Sequence, residues 1–136
     1  MYLLDTNVVS ELRKPRPHGG VIAWLQSVSE RELFISALTL GELQAGAERL
    51  RRHDPAKAAA IDVWIDEISA THDVIPMDGA AFCEWARLME GKPDDLLEDG
   101  MVAATARIHR LAVVTRNVRD FKDFDVQLVN PFNYRG

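Results

Sequence analysis

Four acids occupy positions where a carboxylate is chemically informative. Asp5 directly follows the apolar run Tyr2-Leu3-Leu4, and Glu42 lies near the start of the helical stretch that follows Leu33-Phe34-Ile35-Ser36. Asp99 sits near the start of a further helical stretch, and Asp120 comes shortly after the apolar run Leu111 to Thr115. In an open parallel sheet, ligands bind outside the carboxyl ends of the strands. Residues that just follow strands, or that begin the next helix on that side, therefore share one crevice. Four carboxylates meeting at one edge repel one another strongly unless a cation joins them. Magnesium and manganese suit such a site, because both take oxygen ligands in octahedral geometry. An ion held by carboxylates keeps several waters, can activate one as a nucleophile and can neutralise a phosphate. The chemistry implied is metal-assisted phosphodiester hydrolysis.

Each acid also has a plainer reading. An acid after a strand is often a helix cap, and an acid in a first helical turn is favoured by the macrodipole. Glu42 taken singly could be a solvated helix residue, and Asp120 could end a turn. Their shared edge is what favours chemistry over these readings.

The elements that would position them alternate along the chain. Short apolar runs at Tyr2–Leu4, Leu33–Ser36, Val74–Pro76, Leu111–Thr115 and Val126–Val129 are expected to be buried strands. Between them lie helical patterns. Asn7 to Lys14 is a short helix stopped by Pro15 and Pro17. Val21, Ile22, Trp24, Leu25 and Val28 recur at helical spacing, and a helix from about Thr39 to Arg52 carries Leu40, Leu43, Ala47 and Leu50 on one side. Asp54-Pro55 is a helix start whose stripe is Ile61, Trp64, Ile65 and Ile68. Asp78 caps a helix bearing Phe82, Trp85 and Met89, and the last long helix runs from about Leu97 to Arg110. This alternation argues for one α/β domain over residues 1–136, a short, mostly parallel sheet flanked by helices. The pattern leaves the strand order open.

Composition narrows the class. The 136 residues are 47% hydrophobic and 27% charged, which is the make-up of a globular domain. With 21 acidic against 16 basic residues the net charge is −5, which argues against a basic module that coats nucleic acid non-specifically. A single cysteine, Cys83, excludes an internal disulfide and a cysteine-based metal site. No signal segment or membrane span is visible, so a cytoplasmic protein is expected. The four histidines, His18, His53, His72 and His109, form no metal-ligand pair, and no phosphate-cradling glycine loop or nucleophile elbow is present. The three tryptophans lie on helical stripes and read as core or subunit interface rather than base-stacking platforms.

The contexts of the acids carry a resemblance. Leu4-Asp5-Thr6-Asn7-Val8-Val9-Ser10-Glu11-Leu12 resembles the opening of PIN-domain proteins, in the branch of VapC-type and FitB-like toxin ribonucleases. Ser36-Ala37-Leu38-Thr39-Leu40-Gly41-Glu42-Leu43 is similar to that family's second motif and Asp99-Gly100-Met101-Val102-Ala103-Ala104-Thr105-Ala106 to its third. Val113 to Phe121 is similar to the fourth, and Asn130-Pro131-Phe132 to the usual end. Asp94, Asp95 and Glu98 crowd the third motif, and the Ala-Ala-Thr-Ala run sets the register on Asp99. The resemblance implies that Asp5, Glu42, Asp99 and Asp120 form the catalytic, metal-binding acids, with Mg2+ or Mn2+ as cofactor. It places Asn7 and Thr115 as supporting polar residues. It further implies an endoribonuclease that is the toxin of a toxin–antitoxin pair. The expected partners are an RNA substrate, a second copy of the chain, and a small antitoxin, often DNA-binding, that blocks the groove.

Cations that could hold RNA cluster in three places. Arg116 and Arg119 flank Asp120, Arg49 lies seven residues beyond Glu42 on nearly the same helical face, and Arg13, Lys14 and Arg16 close the first helix. Cations near helix C-termini are favoured by the dipole in any case. Three other classes compete. A phosphatase with an N-terminal aspartate nucleophile needs a second acid two residues on, where this chain has Asn7. A PIN-like binding module without catalysis would lack the acids, and all four are present. An inert oligomerisation domain leaves the acid motifs unexplained.

Overall fold

The protein is described here, over residues 1–136, by a computed structural model. Its elements run β1 (Tyr2–Leu4), α1 (Thr6–Glu11), α2 (Gly19–Gln26), β2 (Leu33–Ser36), α3 (Ala37–Arg51), α4 (Pro55–Thr71) and β3 (Asp73–Ile75). They continue with α5 (Gly79–Met89), α6 (Leu97–His109), β4 (Ala112–Val114), α7 (Val118–Phe121) and β5 (Leu128–Val129). The five strands form one sheet in the order β3-β2-β1-β4-β5, and every neighbouring pair is parallel. All strand carboxyl ends therefore lie along one edge. No helix is long and apolar enough to cross a membrane.

The order reverses at β1, the central strand, whose neighbours are β2 on one side and β4 on the other. Leu4 pairs with Ile35 and with Val114, so the next residues along, Asp5, Ser36 and Thr115, line up at the carboxyl edge. The crevice at such a reversal is where open α/β sheets bind ligands.

Alternation across the pleat divides the core between the two faces. Leu3 and Val113 join Val102, Ala103 and Ala106 of α6 and Phe121 of α7 on one face. Leu4, Ile35 and Val114 join Val8 and Val9 of α1, Val21 and Trp24 of α2 and Ile68 of α4 on the other. A smaller cluster of Ala47, Ile61 and Ile65 seals α3 against α4.

Local signals set the helix ends. Asp5 caps α1, Ser36 caps α3, Asp54 caps α4 ahead of Pro55, and Asp78 caps α5. The structure departs from the sequence-based boundaries by one residue at each end of β3 (Asp73–Ile75) and β4 (Ala112–Val114), and in four further places. The first helix begins at Thr6 and ends at Glu11 rather than Lys14, because the chain passes into turns before Pro15. The helix after β2 begins at Ala37, two residues early, because Ser36 is free to cap it. The last strand shortens to Leu128–Val129. The segment between β4 and β5 contains a short helix, α7, that apolar periodicity did not mark.

α7 is held by aromatic packing rather than by its own length, since so few residues cannot sustain a helix alone. Phe121 and Phe124 are both fully buried and meet edge to face at 6.4 Å. Phe121→Ala should therefore cost about 3–5 kcal/mol of stability in urea denaturation, with early loss of hydrogen-exchange protection in α7. An unchanged midpoint would show that α7 does not depend on this core.

Candidate active site

The carboxyl edge holds an open cleft of about 290 Å³, lined by Asp5, Thr6, Asn7, Glu42, Glu98, Asp99, Val102 and Asn117. Its walls come from the loops and helices that follow β1, β2 and β4, together with the first turn of α6.

Asp5 is the most enclosed of the acids, with 6% of its surface exposed. Its Oδ1 accepts the Thr6 backbone N–H at 2.9 Å. Its Oδ2 accepts the Thr115 hydroxyl at 2.8 Å and the Asn7 side-chain amide at 3.2 Å. Thr115 Oγ1 also accepts the Asn117 N–H at 3.0 Å and a second bond from Asn7 at 3.2 Å. One hydroxyl offers one proton and two lone pairs, so Thr115 is saturated and its proton must go to Asp5. Asn7 Oδ1 accepts the Arg116 backbone N–H at 3.0 Å, which ties the loop after β4 to α1.

Glu42 is held by a second polar relay. Thr6 Oγ1 donates to Glu42 Oε1 at 3.0 Å and lies 3.0 Å from Thr39 Oγ1. With the Thr6 proton used on Glu42, Thr39 must be the donor to Thr6. Asp99 has no hydrogen-bond partner in the protein and faces the cleft from the first turn of α6.

The electrostatics record the crowding. Burial, opposed by its three hydrogen bonds, holds the Asp5 carboxyl above the usual aspartate range, and the Asp120 charge adds to the rise. Glu42 is raised first by burial and then by Glu98 and Asp5, against the Thr6 hydrogen bond. Asp99 is pushed up to about 7, first by burial and then by the charges of Asp5, Asp120, Glu42 and Glu98. Several groups that each disfavour one another's ionisation leave a deficit of positive charge at this edge.

The donor set is all oxygen, which fits a hard divalent cation such as magnesium or manganese. As the side chains stand, however, no three acidic groups are close enough together to grip one ion. The oxygens of Asp5 accept from Thr115 and Thr6, and Glu42 accepts from Thr6. Asp5, Glu42 and Asp99 share the cleft, as their spacing suggests. Asp120 is exposed in the first turn of α7 and stands outside the cleft lining, although its charge is felt at Asp5 and Asp99. The intervening α7 places it there, and Asn117 takes the lining position instead.

The expected cations are placed differently from one another. The Arg116 guanidinium lies over the Phe132 ring at 4.1 Å, a cation–π contact that occupies its planar face. Arg119 is exposed on α7 beside Asp120. Arg49 is exposed on α3 and touches no acid. Sequence reasoning missed the roles of Thr6, Thr39, Glu98 and Asn117. Thr6 and Thr39 stand inside the first and second motifs, and Glu98 adjoins Asp99. A polar residue beside a proposed acid was the available signal.

The chain matches the PIN domain family over residues 2–127. It is 32% identical to Toxin FitB of Neisseria gonorrhoeae over 98% of this chain and 99% of that protein. It is 31% identical to VapC ribonuclease Y4jK of Sinorhizobium fredii, over 97% and 98% of the two chains. Among solved structures it superposes on FitAB bound to the IR36 DNA fragment with a TM-score of 0.86 at 29% identity, covering all of this chain and 99% of that one. The crystal structure of FitAcB from Neisseria gonorrhoeae gives a TM-score of 0.81 at 32% identity, with 98% and 99% covered.

The crowding at Asp99 has a consequence for stability. Its folded pKa of about 7 exceeds the ordinary 3.8, so the folded state holds the proton more tightly. The stability this confers is fully present below pH ~4 and is lost as pH rises towards 7. Asp99→Asn removes a charge that satisfies no donor. In chelator the variant should match wild type near pH 4 and exceed it at pH 8 by ~0.5–2 kcal/mol, a range discounted for the half-exposed carboxyl. Urea denaturation at the two pH values measures it. A variant less stable at both would mean that Asp99 chiefly supports the start of α6.

Proposed function

The chain belongs to the PIN domain family, and on that premise we propose that it is a magnesium- or manganese-dependent endoribonuclease, the toxin of a toxin–antitoxin pair. Relatives named as toxins and ribonucleases support the class of reaction. The observation that carries the metal site is the cleft itself, which Asp5, Glu42, Glu98 and Asp99 line together with no cationic side chain among the lining residues. A divalent cation bound there would supply Lewis-acid stabilisation of a phosphate and would make a bound water more acidic than bulk water.

On this reading Asp5, Glu42 and Asp99 hold the ion, and Asp120 adds negative charge from α7. The other residues keep those oxygens in place. Thr115 and Asn7 fix one Asp5 oxygen, the Thr6 N–H fixes the other, and the Thr6 hydroxyl restrains Glu42. Glu98 and Asn117 line the approach to the cleft. The substrate is an RNA phosphodiester, the strand entering through the open side of the cleft.

The proposed partners are a second copy of the chain and a small antitoxin. The FitAB structure, a complex bound to DNA, supports an antitoxin of the DNA-binding kind. A cationic side chain from it, most simply an arginine, would offset the same charge deficit that the metal offsets.

Purified, partner-free protein should cleave RNA with magnesium or manganese and stop on addition of a chelator. Asp99→Asn should lose cleavage while keeping the fold. Asp5→Asn is the poorer test, because its amide would confront the Thr115 and Asn7 donors. Magnesium should raise the melting temperature of wild type more than that of Asp99→Asn, since a ligand stabilises only the state that binds it. Cleavage unaffected by chelator would overturn the metal mechanism. Formation of a complex with the cognate antitoxin should silence cleavage, and full activity in that complex would overturn the blocked-groove model.

A further inference from the structure

A second groove, of about 380 Å³, opens from the acidic cleft and shares Thr6 and Glu42 with it. Three helical segments build it, each through one face. The α1 segment contributes Thr6 and Ser10 and, in the turn that follows, Arg13, at spacings of four and three residues. The middle segment, α3, supplies Glu42, Gly46 and Leu50, and α4 supplies Lys57, Ile61 and Trp64. The floor is apolar, and the charged groups other than Glu42 are both cations.

We propose that this groove binds the RNA strand next to the cleaved bond, with Arg13 and Lys57 each holding a backbone phosphate. The inference rests on the ribonuclease reading above and assigns the path by which the strand leaves the cleft. Three observations carry it. First, Arg13 and Lys57 make no ion pair and no side-chain hydrogen bond in the protein, although acids outnumber bases in the chain. Residues 44 positions apart have been brought to one groove with their charges unspent. Second, the sign of charge changes along the path, from carboxylates at the cleft to free cations beyond Glu42. A metal-bound phosphate belongs at the first and plain phosphates at the second. Third, Gly46 sits inside α3, where glycine costs about 0.5–1 kcal/mol relative to alanine. No packing demands it. A Cβ at that position would meet only Arg49 Nη2, at 3.9 Å. Its missing side chain leaves the groove floor open.

The chemical class of ligand follows. A groove with an apolar floor and two separate point cations fits a single strand, whose sugars and bases rest on the floor while successive phosphates meet the cations. A cavity of this volume is in the range that admits such a segment.

The test uses the whole protein carrying Asp99→Asn, so that RNA is bound without being cut. Binding of a short, fluorescein-labelled single-stranded RNA of mixed sequence is followed by anisotropy across a salt series. Arg13→Gln with Lys57→Gln should weaken binding on the order of tenfold at moderate salt and lower the salt slope by about 1.4, the loss of two phosphate contacts on a single strand. Arg31→Gln with Arg110→Gln removes the same charge at the opposite, amino edge of the sheet and should have a much smaller effect. Gly46→Leu fills the floor without touching charge. It should weaken binding and leave the slope unchanged. Wild-type affinity and slope in the Arg13, Lys57 variant would overturn the proposal, as would a loss no larger than in the amino-edge control. So would retained RNA binding together with lost affinity for the antitoxin, which would make the groove a protein's seat. Cleavage by the Asp99 parent is read separately. A chain that never cuts RNA, with either metal, sinks the ribonuclease reading, whereas a cutting enzyme with an unaffected Arg13, Lys57 variant sinks only the groove assignment.

Discussion

The buried Asp5 carboxylate is the constraint around which the molecule is arranged. A charge this enclosed is costly unless several donors meet it. The Thr6 N–H, the Thr115 hydroxyl and the Asn7 amide do so. Those three groups come from α1 and from the residue that follows β4. The carboxylate therefore demands that β1 and β4 be neighbours in register, and that α1 start at once. Both conditions hold, and the Asp5 N–H donating to the Val114 carbonyl at 2.9 Å extends the β1–β4 ladder to the site itself. One side chain caps a helix, pins a loop and faces the cleft.

Around it the protein keeps apart what stabilises it and what functions. Stability lies in the two apolar layers above and below the sheet, where Leu3, Leu4, Val113 and Val114 are fully or almost fully enclosed. The carboxyl edge works against folding, because its acids raise one another's pKa in a partly dry setting. Neutral donors mitigate this. Threonine and asparagine restrain Asp5 and Glu42 without cancelling their charge, where a lysine would form an ion pair. Asp99, with no such donor, carries the largest upward shift.

The surface continues the same logic. Acids gathered at a cleft would repel an approaching polyanion, and the net charge of −5 reinforces that. Cations left unpaired beside the cleft counter it locally, which is where electrostatic attraction matters at ordinary ionic strength. Arg116 lies over the Phe132 ring, and the unpaired cations Arg13 and Lys57 line the groove that shares Glu42 with the cleft.

Much of this was legible in the chain. Apolar runs alternating with helical stripes determined the α/β class, because burial on both faces leaves strands continuously hydrophobic. Acids placed just after those runs, and the polar neighbours in the same motifs, determined which residues belong to one edge. Other features depend on distant contacts. The order β3-β2-β1-β4-β5 decided that β4 lies beside β1 and so brings Thr115 to Asp5, since strand pairing is a long-range choice that apolar runs do not encode. The packing of Phe121 and Phe124 decided that α7 exists and carries Asp120 out of the cleft lining. The approach of α1 and α4 across α3 decided that Arg13 and Lys57 share a groove, because helical spacing fixes the face a residue occupies and only tertiary packing fixes what that face meets.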